Sequence, residues 1–133
     1  MGYQFSFERL EAWQLSRQFL KFAYPIIESF PQKEKFNLVD QIRRASTSIV
    51  LNLAEMTSRS SYKEQAHFAE IAFGSAIESY CAFLLSYDFG YINEKQLQEV
   101  KDKLGEITGK INALKRSQLQ RINQSSIQQQ PNN

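Results

Sequence analysis

The sequence predicts an all-α protein, an up-down-up-down antiparallel four-helix bundle. Four segments repeat apolar residues at intervals of three and four, which places those residues on one face of a helix. The connections between the segments are short, so consecutive helices should be antiparallel neighbours. Five glycines and three prolines in 133 residues are too few for a protein rich in turns. We expect one bundle domain at residues 1–122 and a disordered polar tail at residues 123–133.

The first two predicted helices are bounded by prolines and small polar residues. The first covers residues 7–29 and ends before Pro31. Pro25 should kink it or break its last turn, because proline has no N–H and crowds the carbonyl four residues back. The second covers residues 33–56 and stops at a Thr-Ser-Arg-Ser run.

The last two predicted helices carry recognisable start and stop signals. The third covers residues 61–89 and opens with Ser61 and Glu64, which together form a capping-box sequence. It meets Gly90, a common helix stop. The fourth covers residues 93–121, and nearly everything outside its single apolar stripe is polar.

Helices one and three differ from helix four because each carries apolar residues on two faces. A helix that is apolar nearly all round must be buried nearly all round, and four helices cannot cover both faces of two of them. The second faces therefore predict a homo-oligomer. The alternative is a wide core stripe with some exposed aromatics. The predicted interface comprises Leu15, Phe19, Phe22, Ile26, Phe68, Ile71, Leu85 and Phe89.

Helix two carries a polar stripe beside its apolar stripe, within an arc of about 80°. Its amides, hydroxyl, guanidinium and carboxylate suit directional hydrogen bonds, whereas a solvated face would more commonly alternate Lys and Glu. We expect a partly buried network between helices two and three, with Arg44 paired to Glu78 or Glu55. A groove for a ligand or nucleic acid is the alternative. The predicted network comprises Gln41, Arg44, Ser48, Asn52, Glu55, Ser75 and Glu78.

The charge of the chain is unevenly placed. A net charge of +2 does not by itself imply a nucleic-acid partner, but no acidic residue follows residue 108 while four basic ones do. In a homo-oligomer this basic segment would recur in every subunit, and its phosphate contacts would add. Alternatively, these cations complement the negative end of the helix dipole. The candidate nucleic-acid-binding residues are Arg43, Arg59, Lys110, Lys115, Arg116 and Arg121.

Catalytic and membrane functions find little support in the sequence. Cys81 and His67 are single residues of their types, and Glu64-x-x-His67 is one half of a di-iron motif that needs two such pairs. The longest apolar run, at residues 81–85, is far short of the ~20 residues that cross a bilayer. We expect a cytoplasmic protein that is not an enzyme, with no cofactor, metal, membrane association or small-molecule substrate.

The stretch Gln-Ile-Arg-Arg-Ala-Ser-Thr-Ser-Ile-Val-Leu-Asn-Leu-Ala-Glu at residues 41–55 resembles a known signature. It is that of the four-helix bundle proteins encoded in intervening sequences of bacterial 23S ribosomal RNA genes. Those proteins are similar in turn to the accessory variability protein of diversity-generating retroelements. The resemblance covers roughly residues 7–115. Further agreement comes from Leu10, Trp13, the Phe-Pro pair at residues 30–31, residues 71–75 with Glu78, and residues 90–92.

The resemblance implies a ring-shaped homo-oligomer, a pentamer. It also implies partners, because the retroelement relative binds a reverse transcriptase and nucleic acid through basic surface. RNA or DNA and a nucleic-acid enzyme such as a reverse transcriptase are therefore expected partners, and a protein-binding scaffold without a nucleic-acid role is the alternative. One departure is Met56, where the family usually has glycine. Helix two should therefore continue past this point, or its exit should bend differently.

Overall fold

A computed structural model of the chain describes residues 2–128. Over this range the chain is almost entirely helical and contains no strand, which confirms the predicted all-α bundle. Short 3-10 helices at Ser6–Arg9 and Gln32–Glu34 precede the first two long helices. The four long helices are α1 (Glu11–Glu28), α2 (Leu38–Ser58), α3 (Tyr62–Asp88) and α4 (Glu94–Gln128).

The four helices form two diagonal pairs around one core. α2 and α4 each pack against both α1 and α3, so α1 and α3 lie diagonally opposite each other. Phe19 of α1 and Phe83 of α3 meet across this diagonal with their ring centroids 6.2 Å apart. Ile42 of α2 and Ile107 of α4 close the core from the other two sides, and all four side chains are essentially inaccessible to water.

α1 begins later than the sequence predicts and is not broken by its proline. Leu10 is extended, with φ −78° and ψ 120°, so the 3-10 helix before it does not merge with α1. Pro25 lies inside α1, which continues to Glu28, so of the two expected effects, a kink or a break of the last turn, the break does not occur. Lys21, whose carbonyl loses its partner, is exposed together with Pro25, and water can therefore reach that carbonyl.

α2 also begins later than predicted, and it ends later. Its N-cap is Asn37, with φ −124° and ψ −100°, and the first buried residue of its core stripe is Leu38. At the other end α2 continues two residues past Met56, whose side chain is buried. The helix therefore continues where the family's glycine would end it, and the backbone turns to an extended conformation only at Arg59.

The stop signal at Gly90 is confirmed, and of the start signal the Ser61 half of the capping box is confirmed. The Ser61 hydroxyl accepts a hydrogen bond from the Glu64 backbone N–H at 3.1 Å, which caps the first turn. Gly90 has φ +81°, a conformation that side chains disfavour, and its N–H donates to the Tyr87 carbonyl at 2.9 Å. This turn sends the chain back along the bundle as α4.

α4 extends past its predicted end at residue 121 and runs to Gln128. Between the two points the sequence has neither glycine nor proline, so nothing stops the helix from propagating. Residues 123–128 of the predicted polar tail are thus helical, and residues 129–133 lie outside the described residues.

Candidate functional site

The surface of α3 that faces away from the bundle is rich in large apolar side chains. α3 buries alanines and serines against its neighbours, including Ala69, Ala72 and Ala76, and turns larger residues outward. Ile77 and Leu85 are 51% and 44% exposed. This surface, the outer face of α3, spans an arc of about 140°. Its apolar and small members are Ile71, Gly74, Ile77, Cys81, Leu84 and Leu85.

The outer face of α3 also carries negative charge. Glu70, Glu78 and Asp88 lie on the same exposed arc, with His67 near its N-terminal end. By length and apolar composition α3 could cross a membrane, although the core helix of a soluble bundle meets the same criteria. α3 packs against both α2 and α4.

The structure divides the predicted oligomer interface into exposed and packed residues. Ile71, Leu85 and Phe89 are exposed, as the interface prediction requires. Leu15, Phe22, Ile26 and Phe68 are half-buried and pack against the core.

Phe19 requires a correction, because it is a core residue with 1% of its surface exposed. The buried positions of α1 form a stripe that runs between the two apolar faces suggested by the sequence: Ala12, Ser16, Phe19, Ala23 and Ile27. Small residues on this stripe allow the larger ones on both sides to share the core. α1 therefore has one wide buried face, and the second-face argument holds for α3 alone.

Helices α2 and α3 are joined by a hydroxyl network, which is part of the network predicted. The hydroxyls of Ser48 and Ser75 lie 2.8 Å apart, and Asn52 donates to the Ser48 hydroxyl at 2.9 Å. Ser46 and Ser79, which the prediction missed, add a second and fully buried contact of 3.3 Å between their hydroxyls. The signal for them was a serine at a core position on each helix, since short hydroxyls fit between closely packed backbones.

The charged members of the predicted network lie elsewhere. Arg44 pairs with Asp40 at 3.1 Å, one turn earlier on α2, and its side chain is 80% exposed. Glu55 pairs with Arg59. Gln41 is exposed and Glu78 lies on the outer face of α3, so the expected pairing of Arg44 with Glu78 or Glu55 was wrong. Long charged side chains reach water more easily than the narrow space between the two helices.

Most of the candidate nucleic-acid-binding residues contact other parts of the chain. Arg59 pairs with Glu55 and lies 4.7 Å from the Phe68 ring centroid, and Lys110 pairs with Glu11 at 3.1 Å. Lys115 and Arg121 lie over the rings of Phe73 and Tyr62, respectively. Arg43 and Arg116 are exposed.

The cations of α4 do not converge on one surface. At 100° per residue, Lys110 and Arg121 point in nearly the same direction, while Lys115 and Arg116 lie about 140° and 240° round the helix from Lys110. The structure therefore distributes these charges around the bundle. The compact basic patch expected from the sequence does not form within one protomer.

A buried amide of α4 reaches a side chain near the C-terminal end of α2, at a position that carries no signal in the sequence. Gln118 is buried, and its Nε2 donates to the Met56 sulfur at 3.2 Å. Its Oε1 has no hydrogen-bond partner among the described residues. Met56, the residue that departs from the family pattern, is thus packed against α4.

A hydrogen bond between two titratable residues, Glu34 and Tyr91, joins two connections at the opposite end of the bundle. The Tyr91 hydroxyl donates to the Glu34 carboxylate at 2.7 Å, across 57 residues of sequence. This hydrogen bond lowers the pKa of Glu34 from its usual 4.5 and raises the pKa of Tyr91 from its usual 10.0. The pair links the α1–α2 connection to the α3–α4 connection.

The described residues contain no group of three or more His, Cys, Asp or Glu side chains that could hold a metal ion. Glu64 and His67, the half of a di-iron motif, are both exposed on α3.

These features define a small four-helix bundle protein with one incompletely covered helix. Residues 8–113 match the family model of the 23S rRNA-intervening sequence proteins. The chain therefore belongs to the 23S rRNA-intervening sequence protein family, as its resemblance implied.

A solved structure with the same fold supports the architecture. It is a crystal structure of a protein of unknown function from the S23 ribosomal protein family of Bacteroides thetaiotaomicron. It has a TM-score of 0.73 and 22% sequence identity, and the match covers 79% of this chain and 95% of that one. No curated protein matches the sequence. Residues 2–7 and 114–128 lie outside the range that matches the family.

Proposed function

We propose that this chain is a non-enzymatic, cytoplasmic bundle protein that assembles into a homo-oligomeric ring, a pentamer, and acts as a nucleic-acid-associated binding or accessory protein. The main support for this assembly is the exposure of apolar residues on the outer face of α3. Monomeric proteins seldom expose a contiguous row of large aliphatic side chains, and such rows commonly mark protein interfaces. Gly74 and Cys81, at the middle of this face, are small enough to let another helix approach closely.

The charge on this face favours contact with a different surface of the next copy. If two outer faces met about a two-fold axis, Glu70 and Glu78 would approach the same residues of the partner, and like charges would repel. A contact between two different surfaces avoids this repulsion and generates a ring if its rotation closes. On α2, Arg44 and the 62% exposed Leu51 offer a cationic and apolar surface.

The position of α2 in the bundle supports a small ring. α2 and α3 are neighbours around the core, so their outward directions differ by roughly a right angle in a square bundle. A head-to-tail contact that turns by such an angle at each step closes after about four or five subunits. A pentamer is within this range.

A charge exchange tests this arrangement. Glu78→Arg should place like charges at the contact and lower the solution mass, while the protomer stays helical. Adding Arg44→Glu to the same chain should restore the mass, because each contact would again contain opposite charges. If the double variant stays dissociated, α2 does not supply the opposing surface. Glu99→Arg, on α4, is the matched control and should leave the mass unchanged.

Nucleic-acid binding is supported by the family's connection with ribosomal RNA genes and by repetition of charge in a ring. Arg43 and Arg116 are exposed, and an oligomer would repeat each of them in every subunit. RNA, DNA and a nucleic-acid enzyme such as a reverse transcriptase are the proposed partners. Binding of labelled oligonucleotides should weaken with rising salt, and Arg116→Gln should lower the salt slope.

A protein-binding scaffold with no nucleic-acid role is the second candidate. The ion pairs of Arg59 and Lys110 favour it, because the charges of these two cations are already neutralised by Glu55 and Glu11. It predicts that oligonucleotides do not bind at any salt concentration.

A further inference from the structure

Three aromatic residues that precede the range matching the family form a continuous row of rings with Trp13 of α1. The rings of Tyr3 and Phe5 are 5.0 Å apart between centroids and nearly perpendicular. Phe5 and Phe7 are 6.0 Å apart and nearly parallel, and Phe7 meets the edge of Trp13 at 4.9 Å. We call these four residues the aromatic row: Tyr3, Phe5, Phe7 and Trp13. In the sequence its signal is an aromatic at every second position from residue 3 to residue 7.

Two rings of the aromatic row are displayed to solvent. Tyr3 is 85% and Phe5 58% exposed, although the segment that carries them is held in place. The Phe5 backbone N–H donates to the Glu8 carboxylate at 2.7 Å, and Gln14 of α1 donates to the Glu8 carbonyl at 2.7 Å. The rings are thus presented by an ordered turn, with much of their surface open to solvent.

A groove of about 420 Å³ runs along the outward side of α1 and meets the aromatic row at Trp13, while Phe5 and Phe7 line a separate cavity against α2. Its chemistry is cationic and amide-rich, with one carboxylate. The Arg17 guanidinium lies 5.6 Å from the Trp13 ring centroid. The lining residues are Gln4, Glu8, Trp13, Gln14, Arg17, Gln18 and Lys21.

The acidic residues near this groove are already engaged. Glu8 accepts the Phe5 N–H, and Glu11, at the start of α1, pairs with Lys110 of α4 at 3.1 Å. Arg17 and Lys21 are exposed and one helical turn apart, so both can face the same extended ligand.

We propose that the aromatic row and this groove bind single-stranded nucleic acid. Bases stack on the exposed faces of Tyr3 and Phe5, while Arg17 and Lys21 contact the phosphates. Stacking rings beside a cationic channel are the usual combination for single strands, and an apolar helix would find too few apolar partners among the amides of the groove. This inference rests on the nucleic-acid part of the proposed function, and it places the binding site away from the cations of α4.

The single tryptophan of the chain makes the site directly observable, because Trp13 lines the groove. A labelled oligouridine of about twelve nucleotides is titrated into the native protein, with oligothymidine as the DNA arm. Anisotropy should report binding by the native protein while Trp13 emission changes over the same concentrations. Preference for either probe distinguishes RNA from DNA.

Substitutions separate stacking from charge. Tyr3→Ala with Phe5→Ala should weaken binding at least about tenfold, because two stacking platforms are lost. Phe36→Ala is the matched control, since Phe36 is 84% exposed but lies on the α1–α2 connection, and it should bind as the native protein does. Arg17→Gln with Lys21→Gln should lower the salt slope by about 1.4, the loss of two single-strand phosphate contacts.

Two outcomes overturn the inference, and they differ in what they mean for the proposed function. Binding that survives Tyr3→Ala with Phe5→Ala and leaves Trp13 emission unchanged places the nucleic acid elsewhere on the protein, and the nucleic-acid role stands. No binding of either probe by the native protein overturns both the site and the nucleic-acid role. Circular dichroism of each variant checks that the helices are retained.

Discussion

α3 and α4 lie side by side in the bundle but distribute their residues in opposite ways. α4 buries its large aliphatic residues, such as Val100, Ile107 and Ile111, and turns a polar surface to water. α3 buries mainly alanines and serines and exposes isoleucines and leucines. Among residues 94–125, α4 exposes one large apolar residue, Leu119, whereas α3 exposes several. In the proposed oligomer, the exposed apolar residues of α3 would form part of the interface.

The largest expected effect comes from removing a large residue that α4 buries. Ile107→Ala should lower the free energy of unfolding by about 2–5 kcal/mol, because it removes buried methyl groups and leaves a cavity. Urea denaturation of a dissociated protomer measures this loss. Ile77→Ala, the matched deletion on the outer face of α3, should change the same quantity by less than ~0.5 kcal/mol. Similar losses at the two positions would contradict the contrast between the helices.

A larger side chain on the buried side of α3 should cause the next largest loss of stability. Ala76 is buried where α3 packs closely against its neighbours. Ala76→Leu should therefore destabilise the protomer by about 1–3 kcal/mol through overpacking. Thermal unfolding followed by circular dichroism measures it, and an unchanged midpoint would mean that the space between the helices is larger than the small residues suggest.

How much of this could be predicted from the sequence differs between the two helices. The apolar stripe of α4 predicted its buried residues, because large aliphatics repeated on one face leave no other choice. On α3 the sequence predicted two apolar faces, whereas the buried face runs between them and consists mainly of alanine and serine, which allow a close approach of helices. For the same reason the hydroxyl pair of Ser46 and Ser79 was missed.

The exposed aromatics were beyond sequence reasoning for a different reason. Whether Tyr3 and Phe5 pack into the core or face water depends on how the chain enters α1. That entry is set by Leu10, which is extended, and by the hydrogen bonds of Glu8. Such contacts are tertiary and leave no periodic signal in the sequence.

Substitution of Gly74, on the outer face of α3, is expected to raise the free energy of unfolding, by less than the losses at Ile107 and Ala76. A methyl group added there would meet no atom within 4 Å in the protomer. Gly74→Ala should therefore stabilise a dissociated protomer by about 1 kcal/mol, through helix propensity. In the proposed oligomer the same methyl should weaken association, because it would hold the outer face of α3 away from the helix of the next copy. A gain in protomer stability with no loss of association would remove Gly74 from the interface.

The smallest expected effect is the pH dependence of the stability that the Glu34–Tyr91 pair contributes. A variant without the Tyr91 hydroxyl lacks this contribution. Since the pKa of Glu34 is lowered in the folded state, the stability that the pair contributes is present above pH 4.5 and is lost as pH falls through the folded-state pKa. The raised pKa of Tyr91 gives a contribution that is present below pH 10.0 and lost as pH rises further.

Tyr91→Phe should therefore unfold at a lower urea concentration than the native protein near pH 7. The difference between the two should shrink below pH 4.5 and above pH 10. A difference that is constant across the whole range would show that the ionisable pair contributes nothing beyond packing.

The solution mass of the native chain, measured by light scattering over a range of concentrations, tests most directly whether the outer face of α3 is an interface. A closed ring of five copies of the 15.5 kDa chain gives about 78 kDa. The account predicts a constant oligomeric mass near this value, and a smaller, still helical species for Ile71→Asp combined with Leu85→Asp. A native mass of 15.5 kDa at all concentrations would contradict it.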